Sequence, residues 1–284
     1  MHDADRIEAL LGRRPDRLTP LSGGDIARSL CVELEDGTRV VAKFTRPGQP
    51  SLTLEARMLA DLRKAGLPVP ATLAVADDLM LLAWIDPGQR GWDAHAEHAA
   101  GRAIATLHTQ PVGAAFGHDY DTVIASLAQD NPSVADWSVF YGEHRLLARA
   151  RSTHAIGRLP SALLTRIETL SDQLARWVPA RVRPSLLHGD LWGGNMLPAA
   201  GGEACFIDPA IYRGHGEVDL AMALLFNSVG EAFFEGYRTV APVDPEFFRH
   251  RCTLYQLYPL LVHVELFGAS YLDAVARALD RLEV

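Results

Sequence analysis

The first 85 residues consist of short apolar segments separated by turn residues, a pattern that predicts strands rather than long helices. Leu30, Val32 and Leu34 alternate with other positions in the period of two that is typical of a strand. The turn 35–38 then leads into a second predicted strand. The predicted strands are 18–21, 30–34, 39–44, 71–75 and 79–84, and predicted helices cover 3–11 and 51–65.

Beyond the turn residues 85–88 the apolar positions recur with helical spacing. Ala100, Ile104 and Leu107, for example, fall on one face of a predicted helix. The predicted helices are 94–109, 121–128, 139–152, 161–178, 217–227, 230–237, 245–267 and 269–282. A strand is predicted over 203–207, and the segment 212–217 is expected to be irregular.

A β-rich first part followed by a helical second part predicts an α+β fold with two lobes. We place the lobe boundary at the turn, so that an N-lobe covers 1–85 and a C-lobe covers 86–284. A chain of 284 residues is long enough to bury a core in each lobe.

Composition excludes several classes of function. Apolar residues make up 48% of the chain and charged residues 22%, and the net charge is −8 without a run of Lys or Arg, so no nucleic-acid partner is expected. The apolar runs are too short to span a membrane, and the acidic start lacks an apolar signal region. The three cysteines are far apart and form no C-x-x-C, which is typical of reduced thiols in a cytoplasmic protein.

One polar set lies in otherwise apolar surroundings in the second lobe. Asp190 follows His188 by two residues and precedes Asn195 by five, and Asp208 directly follows the predicted strand 203–207. The pattern H-x-D-x4-N with a later metal-binding Asp is typical of phosphoryl transfer, in which a carboxylate accepts the proton of the attacking hydroxyl. In that interpretation Asn195 and Asp208 hold Mg²⁺, which prefers oxygen ligands. Taken alone, these Gly-Asp and Gly-Gly-Asn sequences are also ordinary turns.

Two charged residues of the first lobe have a structural and a functional interpretation. Lys43 lies within the apolar strand 39–44 and needs either a counter-charge or a path to water. Glu55 lies near the inner edge of the apolar face of helix 51–65, where it could pair with Lys43 and fix it on the phosphates of a nucleotide. The alternative is a solvated glutamate on an exposed helix face.

Two further segments are candidates for nucleotide contacts. Gly23 and Gly24 lie between predicted strands, where the backbone could approach a phosphate closely, although a plain hairpin is the alternative. Backbone groups of Ala83, Trp84 and Ile85, at the lobe boundary, are expected to contact the adenine ring.

These signals follow one another in the order that an ATP-dependent phosphotransferase of the protein-kinase plan requires. Loops around Asp190 and Asp208 would then lie in the cleft between the lobes. Only a short segment separates Asp208 from the helix that starts near Glu217, so a large docking platform for peptides is not expected. A small molecule with a hydroxyl group is therefore the better acceptor.

The chain resembles the fructosamine/ketosamine-3-kinases of the aminoglycoside-phosphotransferase-like, protein-kinase-like superfamily. The segment 187–195, Leu-His-Gly-Asp-Leu-Trp-Gly-Gly-Asn, is similar to the motif of that family. Further similar residues are Phe116-Gly117, Asp136-Trp137, Phe140-Tyr141, Ile207-Asp208-Pro209-Ala210, Tyr212, Gly214-His215, Glu217, Leu220-Ala221, Leu254-Tyr255-Gln256-Leu257, His263, Phe267-Gly268 and Tyr271.

The resemblance implies ATP- and Mg²⁺-dependent phosphorylation of the sugar 3-hydroxyl of a ketosamine, a reaction that repairs glycation. It implies an αC-like helix at 51–65, Asp190 as the catalytic base, and Trp192 and His263 as contacts to the sugar. Trp192 could otherwise anchor its loop in the core, and His263 could be a satisfied core histidine. The resemblance also implies that Asp219 braces the catalytic loop.

The sequence leaves alternatives to a ketosamine substrate. The acceptor could be an aminoglycoside, choline or another sugar, or the protein could bind a nucleotide without transferring phosphate. Several relatives carry a cysteine directly after the glycine pair, where this chain has Asp25. We therefore expect no redox-linked dimer, and a monomer rather than a dimer.

Overall fold

A five-stranded antiparallel sheet forms the first part of the protein in the computed structural model, which describes residues 2–21, 27–46, 48–88 and 91–284. Its strands are β1 (Pro15–Pro20), β2 (Arg28–Leu34), β3 (Arg39–Phe44), β4 (Thr72–Val75) and β5 (Leu79–Ala83), in the spatial order β1-β2-β3-β5-β4. Two helices accompany the sheet, α1 (Asp3–Leu11) and α2 (Leu52–Lys64). The strands and helices predicted for this region are confirmed, although β1 begins earlier than predicted.

The sheet buries an apolar face because successive side chains of a strand point to opposite sides. The buried cluster consists of Ile7, Leu30, Val32, Leu34, Val40, Ala42, Phe44, Leu79 and Leu81. Ile7 comes from α1, so the first helix packs on this face. The alternation along β2 that predicted a strand is the alternation that fills this core.

Ser51 caps the start of helix α2, and its hydroxyl accepts a hydrogen bond from the Thr53 N–H at 3.2 Å. Such a cap contributes about 1 kcal/mol to helix stability. Met58, Leu59 and Leu62 are buried at helical spacing. The helix ends before Gly66, whose φ of +87° is a left-handed conformation that glycine adopts without strain.

Helices dominate the rest of the chain. They are α3 (Ala94–Thr109), α4 (Trp137–Tyr141), α5 (Ala148–Ala155), α6 (Ser161–Asp172), α7 (Glu217–Leu225), α8 (Glu231–Arg238), α9 (Cys252–Phe267) and α10 (Leu272–Arg281). Three short antiparallel strand pairs join them, β6 (Thr122–Ile124) with β7 (Leu127–Gln129), β8 (Ser185–Leu187) with β11 (Tyr212–Gly214), and β9 (Met196–Ala199) with β10 (Glu203–Phe206). The α+β class is therefore confirmed.

The predicted helix over 121–128 is wrong, because this segment forms the hairpin β6–β7. The Thr122 hydroxyl donates to the carbonyl of Ile211 at 3.0 Å, and the Gln129 amide donates to the carbonyl of Ala210 at 3.2 Å. These bonds join residues distant in sequence, and such tertiary context outweighs local spacing.

Several long predicted helices are interrupted or shortened. π-helical turns at Gly142–Leu147 and Phe247–Arg251 precede α5 and α9, and 3-10 turns occupy Leu174–Arg176 and Ala269–Tyr271. Sequence spacing did not predict β9, and β11 lies in the segment 212–217 that was expected to be irregular. β11 has three residues and pairs with β8, which lies along the chain on the other side of the Asp190 loop and the pair β9–β10, so its own sequence carries little signal.

The internal contacts of the chain define two compact units. The first comprises Met1–Leu107, Gly193–Pro209 and Gly230–Val240, and the second comprises His108–Trp192, Ala210–Val229 and Ala241–Val284. The division into lobes by role, with its boundary after residue 85, stays a prediction. Among the described residues, no helix has both the length and the apolar character that would be needed to cross a bilayer.

Candidate active site

Two carboxylates of the first unit meet the ammonium group of Lys43, and the three side chains form a charged triad. The ammonium nitrogen lies 2.8 and 2.7 Å from the two carboxylate oxygens of Glu55 and 2.7 Å from Oδ1 of Asp208. Strand β3 supplies the lysine, the first turn of α2 supplies the glutamate, and Asp208 follows β10. The contact between Lys43 and Glu55 is therefore present, and its role toward a nucleotide stays a prediction.

Charge and burial within this triad shift the pKa values of Lys43 and Glu55. Burial alone would lower the pKa of the Lys43 ammonium, but the carboxylates of Glu55 and Asp208 outweigh that effect and raise the pKa above its ordinary value. Burial raises the pKa of the Glu55 carboxyl, because a buried carboxylate loses its hydration. Lys43 is consequently a permanent cation at physiological pH.

Asn195 and Asp208 flank the strand pair β9–β10. Met196 pairs with Phe206, and the Ile207 N–H donates to the Asn195 carbonyl at 3.1 Å, so both residues lie at one end of the pair. An amide oxygen and a carboxylate are ligands that suit Mg²⁺, so this donor set fits the predicted metal. No group of three or more His, Cys, Asp or Glu side chains within the described residues could hold a metal ion.

Asp190 lies in a tight loop of the second unit that follows β8. The Ala210 N–H donates to the His188 carbonyl at 2.8 Å, which closes the loop against the segment leading into β11. Gly189 has a φ of +83°, and a Cβ there would lie 1.9 Å from the carbonyl oxygen of Ala210. This position therefore requires glycine. The Trp192 N–H donates to the Asp190 carbonyl at 3.2 Å and continues the turn.

Asp219, in α7, holds the backbone of this loop. Its Oδ2 accepts from the His188 N–H at 2.8 Å, and its Oδ1 accepts from the Gly189 N–H at 2.9 Å. His108 Nε2 lies 3.0 Å from Oδ2, and Asp219 itself is fully buried. The bracing that the family resemblance implied is present.

Sequence reasoning missed His108, Thr122 and Gln129, which support the loop or the segment after Pro209. Each acts on a residue that is distant in sequence, so no local spacing could have found it. The apolar surroundings of His108 at the end of α3 are the only signal that it carries a buried bond.

The predicted substrate residues Trp192 and His263 belong to one line of rings in the second unit. Trp192 is 40% exposed, which excludes the alternative that it anchors its loop in the core. The Phe226 centroid lies 6.3 Å from that of Trp192 and 5.0 Å from that of His263. His263 is only partly buried.

The His263 ring has a defined tautomer. Nδ1 lies 2.7 Å from the carbonyl oxygen of Pro259, and because a carbonyl oxygen can only accept, Nδ1 carries the hydrogen. Burial lowers the pKa of His263, so the ring is neutral at physiological pH. Nε2 is then an acceptor that can receive a hydrogen bond from a hydroxyl group.

The remaining predicted contacts concern the nucleotide. Gly23 and Gly24 lie outside the described residues. The segment 83–85 starts at Ala83, the last residue of β5, which pairs with Val40 of β3, and the Arg39 guanidinium lies 4.6 Å from the ring centroid of Trp84. The indole nitrogen of Trp84 is buried without a hydrogen-bond partner. Contacts between this segment and adenine stay a prediction.

Comparisons with known proteins find a family and several relatives that match most of the chain. The family model described as fructosamine kinase matches residues 4–283. A Synechocystis protein named a probable ketoamine kinase is 33% identical over 261 residues, which cover 88% of this chain and 85% of the relative. An Escherichia coli K12 protein of the same name is 36% identical over 242 residues, covering 82% and 81%.

Solved structures give the same result. A crystal structure from Thermobifida fusca that carries the name fructosamine-3-kinase has a TM-score of 0.86 and 33% identity, and 98% of each chain is covered. An aminoglycoside phosphotransferase, APH(4)-Ia, has a TM-score of 0.66 at 16% identity and shares the fold alone, with 99% of this chain and 97% of that chain covered. The predicted kinase-like α+β fold is confirmed.

Proposed function

The chain belongs to the fructosamine kinase family, and from that membership we propose that it transfers the γ-phosphoryl group of ATP to the sugar 3-hydroxyl of a ketosamine. A ketosamine is the product of a sugar and an amine, and its phosphorylation at this position serves glycation repair. The observation that carries the proposal is the triad in which Lys43 bonds to both Glu55 and Asp208.

The triad supports a site for the phosphates of ATP. A buried lysine fixed by two carboxylates keeps a positive charge in one position, and such a charge orients a phosphate without reorganisation during the reaction. Asn195 and Asp208 would hold Mg²⁺, which when bound neutralises charge on the phosphates. Gly23, Gly24 and the segment 83–85 are proposed to bind the rest of the nucleotide.

Asp190 is proposed as the catalytic base. The 3-hydroxyl gives its proton to the Asp190 carboxylate, its oxygen bonds to the γ-phosphorus, and the bond to the bridging oxygen breaks so that ADP leaves with the electron pair. The loop that carries Asp190 is fixed through His188 and Gly189, whose N–H groups both bond to Asp219. A fixed loop holds the base in position before the substrate arrives.

Trp192 and His263 are proposed to bind the sugar. The exposed indole offers an apolar face to the C–H groups of a sugar ring. Nε2 of His263 accepts a hydrogen bond from a sugar hydroxyl. The neutral state of His263 matters here, because an imidazolium could not accept.

The test is ADP release from ATP and Mg²⁺ with fructose-lysine and ribulose-lysine, with an aminoglycoside and choline as control acceptors. We expect turnover on a ketosamine only, with the new phosphate on the 3-hydroxyl by NMR. The Asp190→Asn variant should keep ATP affinity and lose about 10²- to 10⁴-fold in kcat, the usual contribution of a general base.

Asp273→Asn is the matched control, because Asp273 is an exposed aspartate in the first turn of α10. It should keep full activity. Turnover on a control acceptor but on neither ketosamine would reject the proposed substrate. Near-normal turnover in Asp190→Asn would reject the proposed base.

We also propose that the enzyme acts as a monomer in the cytoplasm on a small-molecule ketosamine, free or on a protein lysine, without a nucleic-acid or membrane partner. Its three cysteines are free thiols, as the reducing cytoplasm favours, and ATP is available there. Gel filtration with light scattering tests the monomer, and a mass of two chains would contradict it.

A further inference from the structure

Lysine is nearly absent from this chain. Lys and Arg residues together number 27, but Lys43 and Lys64 are the only lysines, and all the others are arginines. A lysine amine that has lost its proton is a nucleophile, whereas the guanidinium of arginine stays charged at physiological pH and has no lone pair. Most of the positive charge of the protein therefore lies on side chains that do not attack the aldehyde of a sugar.

Lys43 is closed to solutes in the folded protein. Its side chain is 11% exposed. The three N–H groups of its ammonium face three carboxylate oxygens, two from Glu55 at 2.8 and 2.7 Å and one from Asp208 at 2.7 Å. These contacts and the Cε atom surround the tetrahedral nitrogen, so no direction of approach is left open. A sugar therefore reaches Lys43 only when the structure opens locally.

Lys64 has the opposite surroundings. It is the last residue of α2, and its side chain is exposed. None of the described residues accepts a hydrogen bond from its ammonium group or forms an ion pair with it. The nitrogen of Lys64 is therefore open to any solute that reacts with amines.

The reaction of such an amine with a reducing sugar needs no further reagent. The nitrogen bonds to the aldehyde carbon of the open-chain sugar, and the carbonyl oxygen leaves as water with the two amine hydrogens, which gives an imine. C2 of the sugar then loses its hydrogen and its hydroxyl proton to C1 and the nitrogen, and the carbonyl forms at C2. The product is a ketosamine on the lysine.

We propose that Lys64 is the single lysine side chain of this protein that reducing sugars modify, and that the fold protects Lys43. The choice of sugars as the reagent rests on the proposed function, because an enzyme that acts on ketosamines works where sugars and amines meet. An adduct on Lys43 would place a sugar in the proposed phosphate site. Lys64 makes none of the bonds of the triad, so its modification leaves that site intact.

The test is incubation of the folded protein with ribose, without ATP, followed by peptide mapping with mass spectrometry. We expect one lysine adduct, at Lys64, with the mass of one ribose less one water. The adduct at Lys43 should be lower by at least about tenfold, the factor that a local opening free energy of about 1.4 kcal/mol supplies. A terminal α-amino group lies in its own peptide and does not enter this comparison.

The same incubation in guanidinium chloride is the control for the fold. Unfolding exposes both lysines, so the two adducts should become similar in amount. A ratio of Lys64 to Lys43 adduct that is equal in the folded and the unfolded protein would overturn the proposal, because the fold would then give no protection. A folded protein without an adduct at Lys64 would overturn it as well.

Two exposed positions provide matched variants. Lys64→Arg keeps the charge and should show no lysine adduct and the wild-type kcat on a ketosamine. Arg151→Lys creates a second exposed amine, because the side chain of Arg151 is 57% exposed, and it should form an adduct at a level similar to that of Lys64. An unmodified lysine in folded Arg151→Lys would show that exposure does not decide the site, which contradicts the proposal. The adducts are measured without turnover, so inactivity on every ketosamine would refute the proposed function and not this inference.

Discussion

Replacing Asp219 by Asn tests whether bonds to its carboxylate, and not only its size, hold the catalytic loop. Three donors face this carboxylate, the N–H groups of His188 and Gly189 at 2.8 and 2.9 Å and the His108 ring nitrogen at 3.0 Å. An asparagine of the same shape offers one acceptor oxygen, and its NH₂ group must face at least one donor. The variant therefore lacks an acceptor that the buried site requires.

The cost follows from the bonds that are lost. A hydrogen bond to a charged group contributes about 1.5–3 kcal/mol, and a buried donor left without an acceptor costs about 1–3 kcal/mol. Asp219→Asn should therefore lower the free energy of unfolding by about 3–5 kcal/mol. The loop that carries Asp190 would also lose its fixed geometry, and a displacement of about 1 Å can cost 10²-fold in kcat.

The assay combines urea unfolding with steady-state kinetics on a ketosamine. KM for ATP should stay near the wild-type value, because none of the three bonds to Asp219 involves Lys43, Glu55 or Asp208. The exposed Asp273→Asn control should change stability by no more than about 0.5 kcal/mol. If Asp219→Asn matched the wild type in both unfolding free energy and kcat, the bracing role would be refuted.

Two further substitutions test the loop geometry and the acid stability of the second unit. Gly189→Ala would place a Cβ against the Ala210 carbonyl and should abolish activity. Gly157 is the control, because it has a φ of +74° but no atom within 4 Å of an added Cβ. Gly157→Ala should lower the free energy of unfolding only by the roughly 1–2 kcal/mol that a left-handed alanine costs. Thermal unfolding and kcat distinguish the two, and equal effects would show that the contact is unimportant. Burial lowers the pKa of His215 to about 3. Between about pH 6.5 and pH 3 the unfolded chain therefore binds a proton at His215 that the folded chain does not. The free energy of unfolding consequently falls as the pH drops through that window. The decrease in unfolding free energy between pH 7 and pH 4.5, measured with urea, should be about 2–3 kcal/mol smaller in His215→Asn than in the wild type. The exposed His250→Asn variant is the control and should show the wild-type decrease. A wild-type decrease in His215→Asn, or the smaller decrease in His250→Asn as well, would contradict the prediction.

The sequence predicted those parts of the fold in which local pattern and final environment agree. Alternation along β2 and the apolar stripe of α2 each match a face that is buried, so both elements were found. The hairpin β6–β7 was missed because its spacing also fits a helix. Bonds from Thr122 and Gln129 to backbone carbonyls 89 and 81 residues later decide its conformation.

The candidate site shows the same limit. Lys43, Glu55 and Asp208 were proposed from their order along the chain, and the first unit brings them within hydrogen-bond distance. His108 carries no motif, and its bond to Asp219 joins residues that are 111 positions apart in the chain. The tautomer of His263 likewise follows from one carbonyl contact that no sequence pattern encodes.

The charge balance at Lys43 has a consequence for the order in which ligands arrive. The single positive charge of Lys43 is already matched by Glu55 and Asp208, so this set offers no net attraction to a free tetraanion. Uncomplexed ATP, with four negative charges, would be repelled more strongly than its magnesium complex, which carries two. Excess free nucleotide should therefore compete poorly with the complex, and the cellular concentration of magnesium, more than that of ATP itself, would set how much of the enzyme is loaded.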